Sequence, residues 1–498
     1  MEHAPLLADE GVHIAEYTTE PVHLRKSGTA SASGDNESNV ENELEKLTPL
    51  EEAKMVGKGA LPLMLAFFLQ YFLSIAPMFI LGHVGATELA GASLAIMTYN
   101  ITGTGVIQGM VTVMDTFASQ AYGAQQYLRV GEVWQKCSMQ IFIALLPFYG
   151  VWYWAEPILN SLQPDPLLSK LAQDYLRVVS WGTPGLMLFE TGKRYLQAQK
   201  IFDAPTYVLL FVTPFSLSLT YYLVLPAGWG FIGAPIVVSL TYWLMALLLL
   251  AYIFVIDGYK CWGGFSYSAL FTDFGPMLKL AVPGVIQTEA EYLAFEVMTL
   301  ASAYFGTVAL ASQSICTSVG SLVFQIPFAL SCAITTHIAQ LIGAGAKTSS
   351  IRSTNLAMLG SLVVGSFSTV VLLILEKPII RIFTEDEEVI KVTTTVLRLL
   401  FINQTYDSVN ITMAGILRAQ GEQRIGSILN IGSYYFFALP LAYILAFVLK
   451  MEVLGLWIAM SAGVVALTVV EFVVILRSDW NSIIEEARTR TRNEDFSH

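Results

Sequence analysis

The segments TFASQAYGA (residues 116–124) and THIAQLIGA (residues 336–344) share the pattern T-x-x-x-Q-x-x-G-A and lie 220 positions apart. Two shorter segments, LQAQ (196–199) and LRAQ (417–420), match at 221 positions. The same offset of 221 relates Gly85, Leu89 and Ala90 to Gly306, Leu310 and Ala311. Because ordered matches at nearly one offset are not expected by chance, they indicate an internal duplication of the whole chain.

The composition indicates that most of the chain lies in lipid. Of its 498 residues, 54% are hydrophobic and 13% are charged, whereas soluble globular proteins have about 25% charged residues. A membrane-spanning helix needs roughly 20 mostly apolar residues. Twelve stretches meet this need: 60–82, 91–116, 136–156, 170–192, 205–226, 231–255, 276–304, 308–338, 355–376, 390–416, 426–449 and 454–476. We predict an all-α integral membrane protein with twelve transmembrane helices.

The duplication groups these helices into two bundles of six. An N-lobe (59–258) and a C-lobe (276–477) would be related by a pseudo-two-fold axis near the membrane normal, because each repeat has an even number of spans. Two such bundles with a cleft between them are typical of transporters. An interfacial connector (259–275) joins them, an acidic and polar tail (1–58) is expected to be disordered, and a C-terminal tail follows (478–498).

Basic residues set the expected orientation. One set of alternate loops and helix ends contains eleven Lys and Arg residues and the other contains five. Since basic loops stay in the cytosol, both termini are predicted to be cytosolic, which agrees with an even number of spans. The net charge of −12 gives no indication of nucleic-acid binding.

Nothing in the residue pattern indicates an enzyme or a metal site. The four cysteines form no CxxC or Cys/His cluster, and the six histidines form no catalytic or metal motif. We therefore expect no catalytic residue, no metal and no cofactor. The cysteines, Cys137, Cys261, Cys316 and Cys332, are expected to act as small apolar packing residues.

The stretch QTEAEYLAFEVM (287–298) places three carboxyl groups inside an apolar span. Glu291 lies about fifteen residues, or roughly 20 Å, from the predicted helix start, which is close to mid-membrane. A charge there costs roughly 2.5–3.5 kcal/mol, so the group must be protonated or face a wet cavity. Glu296 lies about 140° further around the helix, with Glu289 nearly on its face.

The repeat makes the two lobes chemically unequal. At an offset of 221, Gln70 aligns with Glu291, so the C-lobe has an acid where the N-lobe has an amide. The C-lobe is therefore the better candidate for ion chemistry. A structural alternative for Glu291 is a permanently protonated residue that only fixes helix packing.

Asp407, inside helix ten, carries the same insertion cost as Glu291. Its structural alternative is an acid hydrogen-bonded to Asn403 or Asn410. Asp115 lies near the cytosolic end of helix two, where a helix-capping role competes with a functional one. Glu471 is expected to reach water at the cytosolic boundary.

The N-lobe acid Glu190 has an ordinary interpretation. It precedes Lys193 and Arg194 by three and four residues, a spacing typical of helical ion pairs.

Several ordered blocks resemble the multidrug and toxic compound extrusion (MATE) transporters, particularly the eukaryotic, fungal-like branch. The resemblance runs from about residue 59 to 477 and implies a V-shaped fold of two six-helix bundles. The blocks are LQYFLSIAPMFILGHVGATELAGASLA (69–95), GMVTVMDTFASQAYGAQQY (109–127), KRYLQAQKIFDAPTY (193–207), EYLAFE (291–296), IGAGAK (342–347) and GILRAQGEQRIGSILNIGSYYFFALPLAY (415–443).

Functional residues of the family match this chain in two helices. Eukaryotic members often have the pattern Glu-aromatic-aromatic-x-Phe-Glu in helix seven, and EYLAFE (291–296) matches it except at Leu293. Asp407 matches an acid that the family places in helix ten. Thr317 and Ser318 stand where animal members often have a further Glu in helix eight.

The resemblance implies a proton-coupled antiporter, with sodium less favoured, that exports cationic or amphipathic organic compounds by alternating access. An alternative is a lipid or lipid-linked-sugar flippase on a related two-bundle fold, which would have a more basic cleft. The expected proton- or substrate-binding residues are Glu291, Asp407 and Glu296, with Asp115, Glu289, Gln70 and Tyr292 as secondary candidates. The expected hinges are Pro283, Gly284 and Pro327.

The N-terminal stretch EHAPLL (2–7) fits an acidic dileucine sorting signal formed by Glu2, Leu6 and Leu7. Such a signal, read by a sorting adaptor, favours the vacuolar membrane, with the plasma membrane as the alternative. We expect a monomer whose partners are small organic substrates, protons and the lipid bilayer.

Overall fold

A computed structural model of the protein describes residues 48–162, 165–266, 270 and 274–492, and every regular element in these ranges is a helix. The N-lobe contains α1 (Pro49–Leu81), α2 (Ala86–Tyr99 and Gly105–Gly123, joined by the π-helical segment Asn100–Thr104), α3 (Tyr127–Tyr153), α4 (Pro166–Ser180 and Thr183–Ala198), α5 (Ala204–Val224) and α6 (Gly233–Val255). The C-lobe contains α7 (Phe274–Ala303), α8 (Thr307–Gly343), α9 (Lys347–Phe383), α10 (Glu387–Gln420), α11 (Gln423–Val448) and α12 (Glu452–Leu476), followed by α13 (Trp480–Arg492).

The first helix begins earlier than predicted. Residues 49–58, which the sequence analysis assigns to a disordered tail, form the first turns of α1. The start is fixed by a capping box, in which the side chains of Thr48 and Glu51 satisfy each other's backbone N–H groups, and by Pro49 at the first helical position. The sorting motif at residues 2–7 lies outside the described residues.

The fold has twelve helices in its two lobes, but not all of them are apolar enough to be identified as membrane spans from hydropathy alone. Among the described residues, seven helices are long and apolar enough, or eight if α3 and the short helix after it count as one span. The others are interrupted or polar. The π-helical segment divides α2, and a break at residues 181–182 divides α4. Both α7 and α10 carry partly buried charged residues, Glu289, Glu291 and Glu296 on α7 and Asp407 and Arg418 on α10. Interior polar residues thus lower the hydropathy of helices that line the lobes.

Each lobe has its own apolar core. One cluster of buried side chains is drawn almost entirely from α2 to α6, and a second is drawn from α7 to α12, with a single residue, Ile380, from α9. The lobes meet where α7 packs along α2 and where α8 packs against α1 and α2. The repeat relates α1 to α7 and α2 to α8, so the contact of α7 with α2 and the contact of α1 with α8 are equivalent.

The duplicated segments themselves join the two lobes. Gln120 of α2 donates from Nε2 to the carbonyl oxygen of Ala419 in α10, at 2.9 Å. Its repeat counterpart, Gln340 of α8, donates in the same way to the carbonyl oxygen of Ala198 in α4, at 2.9 Å. Both bonds cross from one lobe to the other. They lie on the side at which the described chain begins and ends, which we call the termini side.

Glycines allow the backbones to approach at this contact. A Cβ at Gly123 would collide with the carbonyl oxygen of Gln340, and a Cβ at Gly343 would collide with that of Gln120. The G in the repeated T-x-x-x-Q-x-x-G-A pattern therefore has a packing role. The lobes are closed against each other on the termini side.

The last helix, α13, lies across this closed side and contacts both lobes. Its buried residues Trp480 and Ile483 belong to an apolar cluster with α8, α10 and α12. At its other end, Arg129 of the N-lobe donates to the carbonyl oxygens of Arg490 and Thr491. The predicted C-terminal tail thus begins with a helix that bridges the lobes.

Candidate functional site

The acids of the C-lobe face its interior from three helices. Glu291 of α7 and Asp407 of α10 lie close enough for their charges to interact. Glu471 of α12 is fully buried and lies within electrostatic range of Glu291. The buried side chain of Tyr434 in α11 is within range of all three carboxyl groups. The structure therefore brings Glu291 and Asp407 together, and it adds Glu471 to them.

Glu471 corrects an expectation from the sequence. Its predicted access to water is wrong, because α12 packs against α10 and no part of the side chain is exposed. Its Oε2 accepts a hydrogen bond from Asn410 Nδ2 at 2.9 Å, while Oε1 has no hydrogen-bond partner. The structural alternative for Asp407 is not observed either: no hydrogen bond joins Asp407 to Asn403 or Asn410 in the described structure, and Asn410 donates to Glu471 instead.

No basic group forms an ion pair with these carboxyls in the described part of the chain, although Arg418 lies within electrostatic range of Glu291 and Glu471. In the described part of the chain, no Lys, Arg or His nitrogen lies within 4 Å of the carboxyl oxygens of five interior acids of the C-lobe. These acids are Glu289, Glu291, Glu296, Asp407 and Glu471. A carboxylate in a low-dielectric interior is costly unless it is paired. The C-lobe interior can therefore accept a proton or another cation.

Glu289 faces the other lobe. A Cβ on Gly105 of α2 would collide with its carboxyl group, so the acid lies directly against α2, beside the π-helical segment. Both of its carboxyl oxygens are buried and neither has a hydrogen-bond partner. One turn after Gly105 on α2, Gly109 packs against Gly284 of α7. A Cβ added to Gly284 would lie 2.6 Å from the carbonyl oxygen of Gly109.

The predicted hinges lie within continuous helices. Pro283 and Gly284 are inside α7, and Pro327 is buried inside α8. The structure gives Gly284 a packing role at the crossing of α7 and α2, and the hinge role of the three residues stays a prediction.

Of the other residues in the helix-seven motif, Tyr292 lies near the N-lobe. Tyr292 is 41% exposed and is within electrostatic range of Glu190 in the N-lobe as well as Glu291 in the C-lobe, so it lies between acids of the two lobes. Glu296 is partly buried.

The N-lobe acid at the matching level is fully paired. Glu190 Oε2 lies 2.7 Å from Lys193 Nζ, which confirms the predicted helical ion pair. Gln70, the repeat counterpart of Glu291, donates from Nε2 to Glu190 Oε1 at 2.6 Å and accepts from Lys193 Nζ at 3.1 Å. The Lys193 ammonium group also lies 4.9 Å from the ring centre of Phe67. At the position where the C-lobe has the unpaired acid Glu291, the N-lobe has the amide of Gln70. This amide forms hydrogen bonds with both members of the Glu190–Lys193 ion pair.

Asp115 joins the two lobes and does not cap a helix. It lies well inside α2, is 4% exposed, and has its Oδ1 3.1 Å from Nη1 of Arg194 in α4. Its Oδ2 lies 3.8 Å from Nε of Arg418 in α10 of the C-lobe. The neighbouring Thr116 donates to the carbonyl oxygen of Arg418 at 2.6 Å. The capping interpretation of Asp115 is wrong because its partners come from distant helices.

Sequence reasoning gave no role in the site to Arg418, which is one of the eleven basic residues that set the expected orientation. A signal was present, because Asp407, Asn410, Ala414 and Arg418 recur at spacings of three and four residues and so share one face of α10. This face runs from the C-lobe acids to the inter-lobe contact on the termini side.

The chemistry of the site is that of ion and small-molecule binding. The described residues contain no cluster of His, Cys, Asp and Glu that could hold a metal ion. All four cysteines are buried and free, in agreement with their predicted packing role.

Comparisons with known proteins place the chain in a large group of transporters. A family profile described as MatE matches residues 62–222 and 283–444. An uncharacterized transporter of Saccharomyces cerevisiae is 38% identical over 463 residues, which cover 93% of this chain and 66% of that protein. An uncharacterized transporter of Schizosaccharomyces pombe is 37% identical, covering 88% of this chain and 81% of that protein. Multidrug and toxin extrusion protein 1 of Oryctolagus cuniculus is 28% identical, covering 88% and 77%.

Solved structures show the same fold. The crystal structure of the eukaryotic MATE transporter AtDTX14 matches with a TM-score of 0.84 and 24% sequence identity, covering 89% of this chain and 99% of that chain. A MATE structure in complex with MaL6 matches with a TM-score of 0.79 at 14% identity, covering 90% and 99%. The predicted fold of twelve helices in two bundles is confirmed.

Proposed function

Since the chain belongs to the MATE family of membrane transporters, we propose that it is a proton-coupled antiporter of cationic or amphipathic organic compounds. Three observations on the C-lobe acids support the proposal. They lie in the membrane-spanning part of the protein, they have no basic group within 4 Å among the described residues, and two of them, Glu291 and Asp407, lie within electrostatic range of each other. The proposal depends on one observation: among the residues that the structure describes, no basic nitrogen lies within 4 Å of the carboxyl oxygens of Glu291 or Asp407.

In the proposed cycle, Glu291 and Asp407 bind protons when the cleft is open to the acidic side of the membrane. Protonation removes negative charge from the site, which releases a bound organic cation on that side. Loss of the protons to the cytosol restores the negative site, which can then bind a new cation. Coupling requires that the two conformations differ in their affinity for the proton. The proton gradient supplies the energy, and no cofactor is needed.

The substrate class follows from the same groups. An unpaired carboxyl cluster attracts cations, and Tyr292 offers an aromatic face between the lobes that can contact a cationic or planar compound. The flippase alternative is not supported, because anionic lipid head groups would be repelled by these acids.

The direct test is uptake into proteoliposomes that contain the purified protein under an imposed pH gradient, with ethidium and tetraethylammonium as probes. We expect Glu291→Gln to abolish gradient-driven uptake. Glu385→Gln, at an exposed acid in the loop before α10, is the matched control and should behave as the wild type. Undiminished uptake by Glu291→Gln would refute the assignment of Glu291, and uptake driven by a sodium gradient instead would refute proton coupling.

We further propose that both termini are cytosolic, that the protein is a monomer, and that it acts in the vacuolar membrane, with the plasma membrane as the alternative. The cytosolic orientation rests on the bias of basic residues between loops. The vacuolar location rests on the motif of Glu2, Leu6 and Leu7 as a binding site for a sorting adaptor. Fluorescence microscopy of tagged wild type and of a Leu6→Ala/Leu7→Ala variant tests it, since the variant should move to the plasma membrane.

A further inference from the structure

A cavity of about 250 Å³ lies between the two lobes on the termini side. Its walls come from the first turns of α1, from the turn between α4 and α5, and from α8 of the C-lobe. It adjoins the inter-lobe contact, because Gln340, which donates to the carbonyl oxygen of Ala198, also lines it. A ligand in the cavity would therefore contact both lobes. Among the described residues, the ionisable ones that line it are Lys58, Lys200, Asp203 and His337.

The two lysines of the cavity form no ion pair with an acid. Among the residues that the structure describes, no carboxyl oxygen lies within 4 Å of the Nζ atom of Lys58 or Lys200. Part of Lys200 is exposed, yet the protein around it removes enough water to lower the pKa of its ammonium group. An ammonium group that loses water without gaining an acid is stabilised by an anion that enters the cavity.

The third basic group at the cavity is already paired. His337 Nε2 lies 3.1 Å from Oε1 of Glu52, and the other carboxyl oxygen of Glu52 lies 3.5 Å from Nε of Arg352. Glu52 is 2% exposed, so this cluster holds the start of α1 against α8 and α9. Among the lining residues, Asp203 is the one acid, against two lysines. The cavity therefore attracts anions.

The backbone at Lys200 is a second, independent observation. Lys200 follows LQAQ and has a φ of 64°, in the left-handed region that disfavours side chains. Its repeat counterpart, which follows LRAQ, is Gly421 with a φ of 84°. Glycine adopts this conformation without strain. The N-lobe thus has a lysine at a turn where the C-lobe has the favoured residue, and such strain is typical of functional positions.

The two equivalent turns differ in what covers them. At the C-lobe turn, Arg490 of α13 donates from Nη1 to the carbonyl oxygen of Gln420 at 3.3 Å. A Cβ on Gly421 would collide with the guanidinium group of Arg490. At the N-lobe turn the cavity lies beside Lys200 instead. The last helix therefore covers one turn of the closed side, and the other turn faces an open binding space.

We propose that this cavity binds a phosphate group through Lys58 and Lys200 and that the bound anion keeps the lobes closed on the termini side. Lysine ammonium groups bind phosphate as point charges. The volume is below the roughly 300–1,000 Å³ of pockets for drug-sized ligands, so the ligand is a small anion or a head group. A soluble phosphorylated compound and the head group of an acidic lipid present the same chemistry.

The effect on transport follows from mass action. A ligand that contacts both lobes only when they are closed stabilises the closed state. It leaves proton binding and substrate release on the opposite side unaffected, and it slows the opening that loads a new substrate. This effect rests on the proposed function, whereas phosphate binding itself does not.

The test is thermal unfolding of the purified full-length protein in a neutral detergent. Inorganic pyrophosphate is the probe, and sodium chloride at the same ionic strength is the reference. We expect pyrophosphate to raise the melting temperature above the reference. Lys58→Gln/Lys200→Gln should weaken its apparent affinity at least about tenfold, because each lysine supplies a charge-assisted contact. Lys54→Gln, at an exposed lysine one turn before Lys58, is the matched control and should bind as the wild type.

The variant Lys200→Gly separates the ammonium group from the stability of the fold. Glycine relieves the left-handed strain, so without ligand this variant should be at least as stable as the wild type. Pyrophosphate should nevertheless bind it more weakly, and a folding defect cannot produce that combination. Equal pyrophosphate affinity in the wild type and in the double lysine variant would overturn the proposal.

Two lipids, added separately to the micelles, distinguish the sources of the phosphate group. A rise in melting temperature with phosphatidic acid and not with phosphatidylcholine, lost in the double lysine variant, assigns the site to a lipid head group. A lysine-dependent rise with pyrophosphate alone assigns it to a soluble compound. If neither phosphate ligand has a lysine-dependent effect, the cavity is not a phosphate site.

Uptake into proteoliposomes tests the link to closure. Pyrophosphate on the termini side should slow uptake by the wild type at least about fivefold and should not slow the double lysine variant. Binding without slower uptake would show that the anion does not hold the lobes closed. Glu291→Gln should keep the pyrophosphate-induced rise in melting temperature. If Glu291→Gln also transports normally, the proposed antiport is wrong and the phosphate site stands.

Discussion

The N-lobe and the C-lobe repeat one helical plan, but the acids at the level of Glu190 and Glu291 differ in whether they have a basic partner. In the N-lobe, Glu190 is paired with Lys193 at 2.7 Å and Asp115 with Arg194 at 3.1 Å. In the C-lobe, Glu291 and Asp407 have no basic partner within 4 Å among the described residues. The difference shows that, in a duplicated fold, charged residues of one half can form fixed ion pairs that support packing. In the other half, acids without an ion-pair partner are left able to bind a proton or a cation.

The physical reason lies in the cost of unpaired charge. A salt bridge inside a lobe is neutral overall and holds its geometry, so it can support packing but cannot readily take up a proton. An acid without a base carries a cost that a proton or a cationic substrate can remove. The comparison therefore predicts that N-lobe substitutions change stability and that C-lobe substitutions change coupling.

The largest effect is expected from Lys193→Met, which leaves Glu190 buried without its base. Removing one partner of a buried pair typically costs about 3–5 kcal/mol, so the melting temperature of the purified protein should fall strongly. The double variant Glu190→Gln/Lys193→Met should recover most of this loss. In the C-lobe, Glu471→Gln removes an unpaired acid and should leave the melting temperature unchanged or higher. Equal stability of Lys193→Met and wild type would break the comparison.

A smaller effect is expected from Gln70→Glu, which gives the N-lobe the acid that the C-lobe has at the equivalent position. The new carboxylate would lie beside Glu190 and would replace the amide that donates to it at 2.6 Å. We expect a loss of about 1–3 kcal/mol in the free energy of unfolding, as for a buried polar group that loses its partner, and no new proton-coupled uptake. The account would be contradicted if adding Gln70→Glu to the Glu291→Gln variant restored transport, because an acid in either lobe would then serve equally well.

The smallest effect is expected at Glu422, an acid of the C-lobe between α10 and α11, outside the membrane-spanning segments. Burial and the nearby charge of Glu486 raise the pKa of Glu422, and Arg490 partly opposes this. The folded protein therefore holds this proton more tightly than the unfolded chain does. Its stability should fall as pH rises from the ordinary glutamate pKa, about 4.3, through the raised pKa, and then level off.

Thermal unfolding of wild type and Glu422→Gln across this pH range measures the contribution. The variant should lack the loss and be slightly more stable than the wild type at neutral pH. If the stability of the wild type relative to Glu422→Gln instead rose with pH, Glu422 would be stabilised in its ionised form.

The sequence predicted the helices and their duplication well, because apolar spans and turn residues are local signals. The T-x-x-x-Q-x-x-G-A repeat even identified the residues of the inter-lobe contact, although their role there became visible only from the paired bonds of Gln120 and Gln340. The π-helical segment in α2 was not predicted, because Gly103 and Gly105, in and beside it, are also common in ordinary membrane-spanning helices.

The site was predicted in part. Glu291 and Asp407 were found from the cost of charge in lipid, and the Glu190–Lys193 pair from helical spacing. Glu471 and Asp115 were misread because their environment is set by helices far away in sequence, α10 for one and α4 with α10 for the other. A residue near the end of a span reaches water only when no neighbouring helix extends past it. At Glu471, α10 extends past the residue and covers it.

The measurement that tests the central contrast most directly is infrared difference spectroscopy of the purified protein as pH is varied. The band of a protonated carboxyl group is assigned to Glu291 by its loss in Glu291→Gln, and Glu190→Gln gives the corresponding reference for the N-lobe. We predict that the Glu291 band disappears as the pH is raised through the range in which transport occurs, while Glu190 shows only its carboxylate form. A Glu291 band that stays constant over that range, in protein that still transports, would contradict the account.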